Sequence, residues 1–178
     1  MMSVSHLVTR AMDGDQRAWD DLIARYLGMV HAICRGYRLG AEDAADVNQV
    51  VWLRLVEHLS RIRSPGAVGG WIAATTRNEC LRVLRASGRV VLTGDEASLD
   101  LLDVRDRGVD SGLLVYERDR ALLTAFGQLG DRCQQLLRLL MADPAPSYDE
   151  IAAALDMPVG SIGPTRGRCL DQRRHLLG

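Results

Sequence analysis

A cluster of arginines close to the C-terminus has the residue type and spacing needed to bind nucleic acid. Arg166, Arg168, Arg173 and Arg174 follow one another in a stretch that contains a single acid, Asp171. A guanidinium group can bind a phosphate, or the edge of a guanine, through two parallel hydrogen bonds. On one helix these side chains would support recognition of DNA rather than catalysis.

The residues in front of this cluster are typical of a helix-turn-helix. Ser147 and Glu150 have the spacing of a capping box, and an apolar helix over 151–155 follows them. A breaking stretch at 156–160 leads to a second helix, for which Ser161 is a suitable N-cap. Pro164 then falls in the first helical turn, where its missing N–H costs little. Such a pair with a basic second helix fits a DNA major groove, although a plain helical hairpin that closes a bundle has a similar pattern.

The rest of the chain is also predicted to be helical, with a break in the middle. Apolar residues at three- and four-residue steps predict helices over 7–12, 17–38, 42–62 and 68–86. Residues 87–112 combine glycines with acids, as tethers do, and helices over 113–126 and 131–141 follow. The longest strand-like run is the short apolar stretch at 90–92. We therefore expect an all-α protein of two small four-helix domains, 1–87 and 113–178, joined by an acidic flexible linker at 88–112.

Composition bounds the class of function. The chain has 178 residues and a net charge of −1, with six acids against three arginines over 89–116. Its cysteines, Cys34, Cys80, Cys133 and Cys169, lack the paired spacing of a zinc site, and each is predicted to be a small buried apolar side chain. We expect no metal and no cofactor. The lack of a signal peptide or an apolar run of transmembrane length predicts a cytoplasmic protein without membrane contact.

The helix predicted over 68–86 carries a tryptophan on a basic face. At about 100° per residue, one arc is mostly apolar and should face the core: Ile72, Ala73, Thr76, Cys80, Val83 and Leu84. The opposite arc contains Trp71, Thr75, Asn78, Arg82 and Arg85. An exposed aromatic ring flanked by arginines is suited to stacking on unpaired bases. The alternative is that Trp71 packs against the preceding loop and the arginines are merely solvated.

Five stretches in this order resemble the extracytoplasmic-function sigma factors, the small members of the sigma-70 family of bacterial RNA polymerase subunits. They are GDQRAW at 14–19, AEDAADVNQVVWLRL at 41–55, GWIAATTRN at 70–78, SYDEIA at 147–152 and PVGSI at 158–162. The resemblance spans nearly the whole chain. It implies a sigma2-like domain, an acidic linker and a sigma4-like domain with the helix-turn-helix.

The resemblance also implies three binding surfaces. Core RNA polymerase would be bound through its β′ coiled coil, with a further contact to the β flap; the residues implied for the β′ contact are Asp46, Gln49, Trp52, Leu53 and Leu55. The minus-ten element would be opened and a flipped base held by Arg61, Arg63, Ser64, Trp71, Thr75, Asn78, Arg82 and Arg85. The minus-thirty-five element would be read by Ser161, Gly163, Pro164, Thr165, Arg166, Arg168 and Arg173. Many relatives also bind an anti-sigma factor, which makes such a protein a possible further partner.

Two positions depart from the usual family pattern. Val50 stands where a glutamate often follows the glutamine of the polymerase-binding motif, and the recognition helix begins without its usual basic residue. Base contacts are therefore expected from Thr165, Arg166 and backbone groups.

Two other classes of function fit the sequence less well. A stand-alone dimeric helix-turn-helix regulator would bind duplex half-sites by itself, but it would leave the Trp71 face unexplained. An enzyme is disfavoured because the four histidines, His6, His31, His58 and His175, have no paired acid or nucleophile at a recognisable spacing.

Overall fold

A computed structural model describes residues 3–62, 64–88 and 124–177, and all regular structure within these ranges is helical. In chain order the helices are α1 (Val4–Met12), α2 (Gln16–Gly36), α3 (Ala41–His58), α4 (Val68–Ala86), α5 (Asp131–Leu140), α6 (Tyr148–Leu155) and α7 (Val159–Leu177). Short 3₁₀ turns at Leu59–Arg61 and Pro65–Ala67 connect α3 to α4. The all-α prediction is confirmed.

The first two helices, α1 and α2, begin at residues whose side chains accept hydrogen bonds from free backbone amides. The side chain of Ser3 accepts from the amide of His6 at 3.3 Å, and Asp15 accepts from the amide of Arg17 at 2.9 Å. Arg10 also donates to Asp15 and ties the end of α1 to the start of α2. This hydrogen bond lowers the pKa of the Asp15 carboxyl. Gly14, at a φ of 86°, makes the turn between the two helices.

The helices of the two halves share one hydrophobic core. It includes Leu22 of α2 and Ile72 of α4, and it continues without a break to Ile151 and Ala154 of α6 and Ile162 of α7. The interface between α4 and α6 is the largest between any two helices in the described ranges. The first helix of the helix-turn-helix is therefore docked on the helix that carries Trp71.

Polar contacts reinforce this docking at its edges. Arg38 at the end of α2 pairs with Asp131 at 2.9 Å, and Nε2 of Gln135 donates to the carbonyl of Gly36 at 3.2 Å. Arg77 of α4 pairs with Asp156 in the turn of the helix-turn-helix, also at 2.9 Å.

Most helix predictions agree with the structure. The prediction over 68–86 matches α4, and those over 17–38 and 131–141 match α2 and α5 to within two residues. The helix expected over 42–62 instead ends at His58, where a 3₁₀ turn takes over. The helix expected over 113–126 and the linker from residue 89 onward lie almost entirely outside the described residues.

The start of α7 corrects one prediction. The capping box of Ser147 and Glu150 is present, but the second helix begins at Val159 and not after Ser161. The Oγ of Ser161 donates to the carbonyl of Pro158 at 2.7 Å, so this side chain does not accept from the free amides as an N-cap would. Pro164 consequently lies inside the helix, where its ring removes the hydrogen bond that the carbonyl of Gly160 would otherwise accept.

The cysteines correct a second prediction. Cys34 and Cys80 are buried as expected, with their Sγ atoms 3.9 Å apart. Cys133 and Cys169 are not independent apolar side chains, because a disulfide joins them across α5 and α7. Their separation of 36 positions gave no sequence signal, since pairing depends on how the two helices cross.

Candidate nucleic-acid interface

The outward face of α3 presents apolar side chains to solvent. Leu53 is 56% exposed and Val56 is 62% exposed, while Asp46 and Gln49 are exposed on the same side. Trp52 is half-buried, and its Nε1 donates to Oδ1 of Asn48 at 2.8 Å. Contiguous exposed apolar residues of this kind are typical of a protein-binding surface.

Leu55 does not belong to that face. Its side chain is completely buried, and it packs in the core with Val51 and Val47, one and two turns earlier on α3. The expectation that Leu55 contacts polymerase therefore conflicts with its position. Val56, which the sequence reasoning missed, takes its place among the exposed residues.

The solvent arc of α4 has the predicted composition. Asn78, Arg82 and Arg85 are exposed, and Thr75 is half-buried. Trp71 is half-buried and stacks on His58 at the end of α3, with ring centroids 6.1 Å apart and planes 28° apart. One face of the indole thus contacts His58 from within the chain.

The connection between α3 and α4 lies next to this arc. Arg61 and Ser64 are exposed, and Arg63 lies outside the described residues. Helix α1 packs on both 3₁₀ turns, and Oγ of Ser5 approaches the Cβ position of Gly66 to 3.7 Å. The first helix therefore supports the loop that was assigned to the minus-ten element.

Glu79 is a functional candidate that the sequence reasoning missed. It lies on α4 with only 2% of its surface exposed, yet its two oxygens bind arginines from two helices. Oε1 is 2.9 Å from Nη2 of Arg54, and Oε2 is 2.7 Å from Nε of Arg82. The only sequence signal was the spacing of three residues between Glu79 and Arg82, which places them on neighbouring turns.

The recognition helix α7 is anchored on one side and open on the other. Ile162 and Cys169 are completely buried, one in the main core and one in a small cluster with Leu129 and Leu137. The predicted contact residues that are exposed are Gly163, Pro164, Arg166 and Arg168.

The remaining predicted contact residues of α7 are less accessible. Thr165 is half-buried and its hydroxyl accepts from Nη2 of Arg168 at 3.1 Å; Ser161 is also half-buried. The side chain of Arg173 lies outside the described part of the chain.

A tyrosine lies where the two halves meet. Tyr37 is 7% exposed, and burial raises the pKa of its hydroxyl to about 12. The charge of Asp156 acts in the same direction, and those of Arg77 and Arg132 oppose it. Charged residues of α4, α5 and the turn of the helix-turn-helix thus lie near this side chain at the end of α2.

The described residues contain no group of three or more potential metal ligands. None of the helices in those ranges is long and apolar enough to cross a bilayer.

Comparisons with known proteins agree with this architecture. The model of sigma-70 region 2 matches residues 22–90, which cover α3, α4 and most of α2. The ECF RNA polymerase sigma-E factor of Escherichia coli strain K12 is 26% identical over 163 residues, covering 88% of this chain and 84% of its own length. These matches support a place for the chain in the extracytoplasmic-function group of the sigma-70 family. Members of this family are transcription initiation factors and not enzymes.

Other relatives give the same picture. The sigma-E factor of Haemophilus influenzae is 25% identical, with 88% of this chain and 85% of the relative covered. Among solved structures, CnrH in complex with the cytosolic domain of CnrY matches with a TM-score of 0.62 and 19% identity, over 97% of this chain and 96% of that one. This structure supports the fold across both halves, whereas the family model covers the first half alone.

Proposed function

We propose that this sigma factor directs core RNA polymerase to specific promoters and helps to open them. One observation carries the proposal: a family member presents three exposed surfaces, on α3, α4 and α7, that suit a protein partner and two stretches of DNA. The exposed Leu53 and Val56, with Asp46 and Gln49, would bind the β′ coiled coil. A further contact to the β flap would hold the C-terminal half.

The two DNA surfaces suit different forms of DNA. Trp71 has one ring face on His58 and a half-exposed position among Asn78, Arg82 and Arg85, which suits a base flipped from the minus-ten element. Helix α7 exposes Arg166 and Arg168 and suits the duplex major groove of the minus-thirty-five element.

Binding both elements at once would require the halves to separate. The two elements are centred roughly 25 base pairs apart, which is about 85 Å of duplex at about 3.4 Å per base pair. Helix α6 is docked directly on α4, and a helix the length of α7 spans only about 28 Å. The docked form is therefore a resting state, and polymerase would hold the open form.

A protein partner that controls this step fits the same picture. The solved neighbour CnrH was captured with the cytosolic domain of CnrY. We extend this to an anti-sigma factor for the present chain, acting in the cytoplasm.

Run-off transcription with core polymerase and fragmented genomic DNA tests the proposal. Discrete transcripts that depend on the chain are expected, together with co-purification of chain and polymerase. A chain that ignores polymerase yet binds duplex half-sites alone as a dimer would instead be a stand-alone regulator.

A further inference from the structure

The contact between Glu79, Arg54 and Arg82 joins the polymerase-binding helix to the DNA-facing helix. A carboxylate that is 97% buried is costly unless charged partners compensate it, and here each oxygen has its own arginine. The side chain of Arg54 is 47% exposed and that of Arg82 is 60% exposed. Glu79 therefore acts as a buried anchor for two guanidinium groups that remain open to solvent.

The position of Arg54 on its helix separates it from the apolar polymerase face. At about 100° per residue, Arg54 flanks the buried stripe of Val47, Val51 and Leu55. Leu53 and Val56 lie well over 90° around the helix from the centre of that stripe, on its far side. Arg54 instead leans toward α4, where Glu79 receives it.

Arg82 occupies the middle of the solvent arc of α4. Its Nε binds Glu79, and within the described residues neither of its Nη groups has a partner. A guanidinium held at Nε presents its two terminal groups outward, in the geometry that suits a phosphate. The three charges sum to +1, so the cluster attracts an anion although a carboxylate lies at its centre.

We propose that Arg54 and Arg82, held by Glu79, form a clamp for the phosphates of the DNA strand that lies along α4. Arg54 is then a DNA contact and not a polymerase contact, and Glu79 is a positioning residue. The inference rests on the proposed function and deepens it, because it names residues beyond those expected from the family pattern.

Glu79→Gln separates positioning from simple electrostatics, because the two predict opposite signs. Removing a negative charge beside DNA should tighten binding if only net charge matters. If Glu79 positions the arginines, binding of the full chain to a fluorescent oligothymidylate at low ionic strength weakens by about two- to tenfold, the cost of ordering one long side chain. Tighter or unchanged binding would overturn the proposal, as would a lack of binding by the unaltered chain. Glu79→Asp, which keeps the charge, should restore part of the affinity.

Arg54→Ala provides the second test, with circular dichroism to check that the chain still folds when Oε1 of the buried Glu79 loses its partner. The slope of log affinity against log salt for the same oligothymidylate should fall by about 0.7 for one lost phosphate contact. Arg17→Ala removes an equal charge at the exposed start of α2 and should leave this slope unchanged. If Arg54→Ala leaves the slope intact but weakens co-purification with polymerase, Arg54 is a polymerase contact and the clamp is wrong. Failure of the proposed function has a different result: in run-off transcription, the unaltered chain would then yield no transcripts.

Discussion

Glu150 occupies the space that a side chain on Gly69 would need. A methyl group at Gly69 would lie 1.8 Å from Oε1 of Glu150 and 2.9 Å from Cε1 of Tyr26. The other oxygen of Glu150 accepts from the amide of Ser147 at 2.7 Å, so the carboxylate cannot simply swing away without breaking the capping box. The cap of the helix-turn-helix and the docking of the two halves therefore depend on the same side chain.

Gly69→Ala should weaken the docking of α6 on α4. Overpacking at a closed contact costs about 1–3 kcal/mol, and we expect the variant to have a larger radius of gyration by small-angle X-ray scattering. Gly70→Ala is the matched control, because open space surrounds that position. Alanine replaces glycine in a helix there, which should stabilise the chain by up to about 1 kcal/mol. An unchanged radius in Gly69→Ala would show that Glu150 can move at little cost.

Leu53→Glu should prevent co-purification with core polymerase. A charge at the centre of an apolar interface removes a contact of about 2 kcal/mol or more, equivalent to at least about a 30-fold loss of affinity. Asp46→Arg should act in the same direction. Met12→Glu changes a similarly exposed apolar residue on α1, 50% against 56% exposed, and should bind polymerase normally. Normal binding by Leu53→Glu would move the interface to another face.

Trp71→Ala should slow promoter opening while leaving polymerase binding intact. Base stacking on an aromatic ring contributes about 1–3 kcal/mol, which corresponds to a loss of roughly five- to 150-fold in bubble stability. Permanganate reactivity of unpaired thymines measures the opening. Trp71→Phe keeps an aromatic ring next to His58 and should retain part of the effect. If promoters opened with the Ala variant and with the unaltered chain show equal permanganate reactivity, the stack of Trp71 on His58 is a purely structural contact.

Tyr37→Phe should make the free energy of unfolding less dependent on alkaline pH. The pKa of Tyr37 in the folded chain is raised to about 12, above the unfolded value of about 10. The stabilisation is complete below about pH 10 and is lost as pH rises through about 12, a change of about 3 kcal/mol. Burial also raises the pKa of Tyr26, so some dependence should remain. Urea titrations between these pH values measure it, with the exposed Tyr148→Phe as control.

Reduction of the Cys133–Cys169 disulfide should destabilise the C-terminal half. A link across 36 positions restricts the unfolded chain by about 3–4 kcal/mol in the chain-entropy model. A reductant should therefore lower the melting temperature of the unaltered chain but not that of Cys133→Ser/Cys169→Ser. Thiol titration of the denatured, unreduced chain should find two thiols, those of Cys34 and Cys80. Four thiols would rule the disulfide out under those conditions.

The sequence predicted the features that depend on neighbouring residues. The capping box at Ser147 and Glu150, the extent of α4 and the solvent arc with Asn78 and Arg82 follow from spacings of three and four residues, and the structure contains all three. The family resemblance is confirmed by the comparisons.

Features that depend on contacts between helices far apart in the sequence could not be predicted from local spacing. Glu79 drew no prediction, because its partner Arg54 lies on a different helix. The start of α7 at Val159 was missed because Ser161 resembles an N-cap from its local sequence alone. The shared core had no signal, because an apolar face does not specify which other face will cover it.

The docked arrangement has a consequence for how the factor is transferred to RNA polymerase. The ion pairs at its rim are partly solvent-exposed, with 83% of the Asp156 side chain and 19% of the Arg77 side chain accessible, and pairs open to water contribute little. Most of the free energy of docking must therefore come from the apolar contact that includes Ile72, Ala73, Ile151 and Ala154. Separation of the two halves would expose these apolar residues to water. An open factor without a partner would therefore be short-lived and prone to aggregate. Opening of the factor and its assembly with RNA polymerase should therefore be coupled in one step, in which polymerase covers the apolar surface as the two halves separate.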